Sequence, residues 1–161
     1  MGAEIMSPRT GIMFNDEMDD FSFPDIINDF GLPPSPNNFA KPGNRPLSSM
    51  SPAIFVELAI GAAWGSSITS ATALTLMYNL HFGWEIAKSL VTPRLHHQLM
   101  PMRVDYQSEF SEEAIEGLKK RGHDTKDVGG AGSVAGPIAQ LDDGRLMAKA
   151  DYRKARGVDA F

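Results

Sequence analysis

Most of the 11 prolines in this 161-residue chain fall within its first 52 residues. Proline lacks a backbone N–H and its ring clashes with the preceding helical turn. Pro33-Pro34-Ser35-Pro36 and Pro42-Gly43 therefore forbid regular helix over this span. Residues 1–52 are expected to run as extended loop, with one short helical turn near Asp25–Phe30. So long an irregular stretch is either functional or disordered. Phe14, Phe21, Phe23, Ile26, Ile27 and Phe30 argue against a disordered tail, which has little use for large apolar side chains.

Residues 53–161 read as an α+β core. Ala53 to Ile60, rich in β-branched and aromatic residues, predicts a buried strand, and Gly61 to Gly65 a turn. Ile68 to Leu80 carries Ala71, Leu74, Met77 and Tyr78 at helical spacing. Trp84 to Leu90 extends the helical region after a break at Gly83, and Pro93 ends it. Ser111 to Arg121 has a complete set of helix signals. Ser111 caps it, Glu112 and Glu113 sit at the positive end of the dipole, and Lys119, Lys120 and Arg121 sit at the negative end. Phe110 and Ile115 are spaced as a hydrophobic staple, with Gly122 just past the end. Val134 to Leu141 and Arg145 to Ala150 predict two strands joined by Asp142-Asp143-Gly144.

A formal charge of −5 argues against nucleic-acid partners and against a basic membrane-binding surface. Without cysteine the chain has no disulfide framework and no thiolate metal site. Its first residues lack the pattern of a signal peptide. The apolar stretch Ala53 to Leu80 is broken by Glu57 and by the polar Trp64–Ser70 segment, so no direct membrane insertion is expected.

Two segments carry candidate chemistry. Phe14-Asn15-Asp16-Glu17-Met18-Asp19-Asp20-Phe21 crowds four carboxylates between two aromatics. It reads either as a solvated charged turn or as a receptor for a cationic amine, since carboxylates accept charge-assisted bonds from ammonium. A calcium loop would need a glycine at its sixth position and a glutamate at its twelfth, and neither is present. Arg45-Pro46-Leu47-Ser48-Ser49-Met50-Ser51-Pro52 sets two hydroxyls on a proline-braced loop. They either cap a turn or donate to a carboxylate. A nucleophilic serine would need a partnered base, and no Gly-X-Ser-X-Gly elbow occurs. His96-His97 point apart and suit structural hydrogen bonds better than one metal ion. Gly129-Gly130-Ala131-Gly132-Ser133 lacks the lysine of a phosphate loop. No metal and no cofactor is expected.

These two segments resemble the small subunit of the γ-glutamyltransferase (glutathione hydrolase) family. Further blocks follow in the same order: Gly61-Ala62-Ala63 with Gly65, Ile68 to Leu74, Pro93 to Gln98, Gly122-His123, and Ala150-Asp151-Tyr152-Arg153. The likeness spans Gly11 to Phe161, so residues 1–161 are expected as one small-subunit-like domain: a loop-rich substrate segment (1–52) and a strand/helix core (53–161). It implies part of an N-terminal-nucleophile hydrolase fold, an αββα sandwich. It also implies a reaction: a threonine attacks the γ-glutamyl carbonyl of glutathione or a related amide, and the acyl group passes to water, an amino acid or a peptide. By the same likeness Glu17 and Asp20 would hold the α-ammonium, Ser48 and Ser49 the α-carboxylate, and Gly65 would lend a backbone N–H to the oxyanion.

This sequence departs from the family in three ways. The nucleophilic threonine of the family lies upstream of the segment that begins here at Met1-Gly2, so no catalytic nucleophile is expected in this chain. The large subunit, which supplies an arginine, is absent too. Where the family has Gly-Gly, this chain reads Trp64-Gly65, and Trp64 is expected to fill or narrow the acyl pocket. The expected partners are γ-glutamyl compounds such as glutathione and a large subunit. The alternatives are an inactive light-chain-like binding protein and an incomplete gene product. The family's usual locations are extracellular or periplasmic; no residue of this chain fixes one.

Overall fold

The computed structural model describes residues 2–130 and 132–154. By its contacts the chain divides into two units, Met1–Ser48 and Ser49–Phe161.

The first unit is held by turns. A short antiparallel bridge joins Met6 to Met13, and a parallel one joins Ser22 to Phe39. Its helical content is two 3₁₀ turns, Glu17–Asp20 and Pro36–Asn38. The helical turn expected near Asp25–Phe30 does not form. Asp25 takes a positive φ of 62°, and the Asn28 Oδ1 accepts the N–H groups of Phe30 at 3.1 Å and Leu32 at 3.0 Å. A side-chain acceptor that close competes with helix for the backbone donors.

The second unit is built on two sheets. In the first, β1 (Ala53–Ile54), β2 (Leu58–Ala63), β6 (Val134–Gln140) and β7 (Leu146–Ala148) lie antiparallel in the order β1-β2-β6-β7. The second pairs β3 (Leu95–His96) and β4 (Val104–Tyr106) antiparallel, and β4 with β5 (Thr125–Asp127) in parallel. A parallel pair needs a crossover, and α3 (Glu112–Lys120) supplies it.

Ala53 to Ile60 is therefore a tight hairpin and not one strand. Phe55 and Leu58 exchange backbone bonds of 2.7 and 3.4 Å, and Val56 at the tip is 97% exposed. The expected turn at Gly61 starts later, because Gly61–Ala63 continue β2 opposite Gly136–Val134.

Two helices, α1 (Ile68–Leu76) and α2 (Ile86–Val91), accompany the first sheet. Ile60 of β2, Leu90 of α2 and Ala135 of β6 form the core, with Ala53, Ala62 and Leu76 against them. The buried stripe of α1 is Ile68, Ala71, Thr72 and Thr75, one step round from the expected Ala71, Leu74, Met77 and Tyr78. After Leu76 the helix widens into a π turn over Met77–His81, and Gly83, with φ 67°, breaks it as its position predicted.

Side chains alternate across a strand. Leu58, Ile60, Ala135 and Pro137 point to the buried face. The opposite face leaves Ile54 85%, Leu146 71% and Ile138 46% exposed. Among the described residues, this side of the sheet is left exposed at these three positions.

The helix at α3 follows its sequence signals closely. Ser111 Oγ accepts the Ala114 N–H at 3.3 Å, and Gly122, with φ 89°, ends the helix: its N–H donates to the Lys119 carbonyl and that of His123 to the Leu118 carbonyl. The Asp142-Asp143-Gly144 turn also forms, with Gly144 at φ 81° and Leu141 bonded to Arg145 at 2.8 Å.

Candidate functional site

The acidic segment folds as a cap and a single turn. Asn15 Oδ1 accepts the Glu17 N–H at 3.1 Å, and the Glu17–Asp20 turn follows. Residues three apart on a 3₁₀ turn eclipse one another, so Glu17 and Asp20 project from the same side. Both are exposed, and among the described residues no hydrogen bond or ion pair reaches either carboxylate. Carboxylates on one side of a turn can accept charge-assisted hydrogen bonds from an ammonium group. Among the described residues no group of three or more His, Cys, Asp or Glu side chains is placed to hold a metal ion.

What ties this turn to the serine segment is Asn38, a residue the sequence reading passed over. It is only 7% exposed. Its Nδ2 donates to the Asp20 carbonyl at 2.8 Å and lies 3.4 Å from Ser22 Oγ, while its Oδ1 accepts the Leu47 N–H at 2.8 Å. One carboxamide thus spans from the end of the acidic turn to the residue preceding Ser48. The signal was available as an asparagine following Pro36 within a proline-rich loop, but such residues usually bond only to local backbone.

In the second unit, Ser49 Oγ donates to the Gly65 carbonyl at 2.6 Å. Gly65 has φ 54°, and Trp64 before it has φ 107° and ψ 63°, a left-handed conformation that bulky residues rarely adopt. Trp64 takes the backbone shape a glycine would take, and its side chain is 59% exposed. Nearby, His96 Nδ1 lies 2.8 Å from Ser70 Oγ and its Nε2 lies 2.9 Å from Gln98 Oε1. His97 Nδ1 accepts the Leu99 N–H at 3.1 Å.

Among the described residues, the most heavily bonded charges were quoted in the sequence only as parts of a likeness. Asp151, with its side chain 1% exposed, receives Arg94 at 3.0 Å, Arg153 at 2.9 Å, and the backbone N–H groups of Ala135 and Arg153 at 3.1 Å each. Arg94 also donates to the carbonyls of Leu90 and Ser133, and Arg153 to those of Leu90 and Thr92 and to Gln107 Oε1. The cluster satisfies carbonyls at the end of α2 and locks them to the start of β6. Burial by itself would raise the Asp151 pKa, but the Ala135 and Arg153 N–H groups and the Arg94 charge outweigh it and hold it below the usual carboxylate value. Arg94 sits below the usual guanidinium range because it is buried and lies beside Arg153, with Asp151 working in the other direction.

Comparison with known proteins places the chain in a family. The family model described as gamma-glutamyltranspeptidase matches residues 1–161. Scoloptoxin SSD14 of Scolopendra dehaani is 48% identical, over 98% of this chain and 28% of its own length. Glutathione hydrolase 2 of Arabidopsis thaliana is 36% identical, over 95% of this chain and 30% of its own length. Scoloptoxin SSD20, also from Scolopendra dehaani, is 46% identical and 84% covered. This chain therefore spans under a third of two of these relatives and most of the third. Among solved structures, the γ-glutamyltranspeptidase of Pseudomonas nitroreducens complexed with L-DON superposes with a TM-score of 0.82 at 31% identity, covering 99% of this chain and 86% of that one. The fold is thus the expected mixed helix-and-sheet, N-terminal-nucleophile hydrolase type, represented here by part of it. The chain belongs to the γ-glutamyltranspeptidase family.

Proposed function

We propose that this chain is the substrate-gripping, small-subunit portion of a glutathione hydrolase/γ-glutamyltransferase. In this reading Glu17 and Asp20 hold the α-ammonium of a γ-glutamyl group, Ser48 and Ser49 meet its α-carboxylate, and the Gly65 N–H faces the carbonyl oxygen under attack. The nucleophilic threonine is supplied by a part of the enzyme outside these residues. The observation that carries the reading is the Asn38 bridge, which joins the backbone of Asp20 to that of Leu47. An amino acid has an ammonium and a carboxylate on one carbon, and its receptor needs acids and hydroxyls on neighbouring segments.

A large subunit is the second part of the proposal. The uncovered sheet face bearing Ile54, Ile138 and Leu146 supports it, because apolar sheet faces are normally packed. No helix among the described residues is long and apolar enough to cross a membrane. An extracellular or periplasmic location is carried only as the family's habit.

The test is hydrolysis of a γ-glutamyl anilide by this chain assembled with a large subunit that brings the threonine. Activity with a KM that rises sharply in Asp20→Ala and in Ser48→Ala is expected. An active assembly whose KM ignores both substitutions would refute the assignment.

A further inference from the structure

Three consecutive carbonyls around Trp64 are each held by a serine hydroxyl. Ser133 Oγ donates to the Ala63 carbonyl at 2.6 Å, Ser67 Oγ to that of Trp64 at 2.9 Å, and Ser49 Oγ to that of Gly65 at 2.6 Å. The serines come from three separate places: the start of β6, the first turn before α1, and the loop ahead of β1. Ser133 is buried, and its own carbonyl accepts Arg94 at 2.6 Å, so this anchor is tied to the ionic cluster.

A peptide unit is planar and trans, so its C=O and the following N–H point in opposite directions. Fixing the Ala63 oxygen therefore aims the Trp64 N–H. Fixing the Trp64 oxygen aims that of Gly65, and fixing the Gly65 oxygen aims that of Ser66. These donors sit where a chain enters a helix, and the first N–H groups of a helix have no acceptor within it. The anchors also explain how Trp64 is kept at φ 107°, a conformation its side chain opposes.

We propose that Ser133, Ser67 and Ser49 are positioning residues that aim the N–H groups of Trp64, Gly65 and Ser66 through the far ends of their peptide planes. This rests on the reading of the Gly65 N–H as the donor to the developing oxyanion, and extends it to the adjoining Trp64 N–H, which Ser133 aims. It also gives Ser49 a second task. A hydroxyl has one proton, and the Ser49 proton is given to Gly65, so Ser49 meets a ligand carboxylate only by releasing the turn.

Ser133 is the residue to vary, because it has no part in the proposed contacts with substrate. In the assembled enzyme, Ser133→Ala should lower kcat by about tenfold or more with KM unchanged. Outright loss of one oxyanion donor costs about 100- to 1000-fold, and a misaimed donor costs less. Ser133→Thr, which keeps the hydroxyl, should restore kcat. With this chain labelled on tryptophan nitrogen, only Trp64 and Trp84 give backbone signals from it. Ser133→Ala should move the Trp64 amide signal and leave that of Trp84 in place. Should Ser133→Ala fail to assemble, Ser67→Ala tests the same step and is expected to lower kcat alone. Unchanged kcat in the variant that assembles, or a Trp64 signal indifferent to Ser133, would overturn the proposal. A KM indifferent to Asp20→Ala and Ser48→Ala would instead refute the substrate reading, and the Trp64 signal would still decide the role of Ser133.

Discussion

The Asn38 side chain donates to the Asp20 carbonyl across 2.8 Å and, through its other end, receives the Leu47 N–H at the same distance. Asn38 is buried, so neither bond is easily replaced by water. One side chain therefore links the end of the acidic turn to Leu47, the residue before Ser48.

Replacing Asn38 by alanine should lower unfolding stability by about 1–3 kcal/mol, the usual cost of leaving buried partners unsatisfied. Asn38→Asp keeps the acceptor for Leu47 but sets an oxygen against the Asp20 carbonyl, and should be no better. Denaturant titration of the assembled protein measures both. Under the proposed function, ligand affinity should fall along with stability, because the same bonds link the acidic turn to the residue before Ser48.

Asp151→Asn should be more damaging. Removing one partner of a buried ion pair typically costs about 3–5 kcal/mol, and here two arginines lose their carboxylate. The pH dependence has a definite sign. The folded Asp151 carboxyl lies below its unfolded value of about 3.9, so its contribution is complete above that pH and is lost as pH falls through the folded value. Urea midpoints measured from neutral pH downward should drop in this acid window for the wild type. The drop should be smaller in Asp151→Asn.

Much of this was legible beforehand, and the failures have identifiable causes. The helix at 112–120 was readable because its cap, charges and terminal glycine all agree, and local agreement of that kind rarely loses to tertiary context. The hairpin at Ala53–Ile60 was not, since a run of apolar residues does not reveal where a two-strand turn falls. The three-stranded sheet escaped because strands of two or three residues leave no periodic pattern. At the candidate site, the family likeness named Glu17, Asp20, Ser48, Ser49 and Gly65, and their roles are part of the proposal. Asn38, Ser133 and the Arg94–Asp151 pair could not be given roles, because their partners Leu47, Ala63 and each other lie 9, 70 and 57 residues away.

Trp64→Gly should stabilise the chain. A bulky residue at positive φ costs on the order of 1–3 kcal/mol, and the added freedom of glycine in the unfolded chain returns part of that. A net gain of about 1 kcal/mol is expected in denaturant midpoints. Trp64→Ala should give none, since alanine suffers the same backbone strain. In an active assembly, turnover should rise with Trp64→Gly as the acyl side of the turn opens; unchanged turnover would remove Trp64 from any role in that pocket.

The uncovered sheet face predicts self-association of the chain on its own. Gel filtration should show oligomers or aggregates, and Ile138→Lys or Leu146→Lys, which place a charge on that face, should shift the chain toward monomer. Both should weaken assembly with a large subunit. A monodisperse wild-type monomer would contradict the assignment of this face as an interface.

The central claim concerns charge recognition, and calorimetric titration of glutamate into the assembled enzyme tests it most directly. A charge-assisted hydrogen bond contributes about 1.5–3 kcal/mol, so Asp20→Asn should weaken glutamate binding by roughly 10- to 150-fold while leaving the fold intact. Equal affinity in the wild type and in Asp20→Asn would show that the acidic turn does not hold the ammonium group.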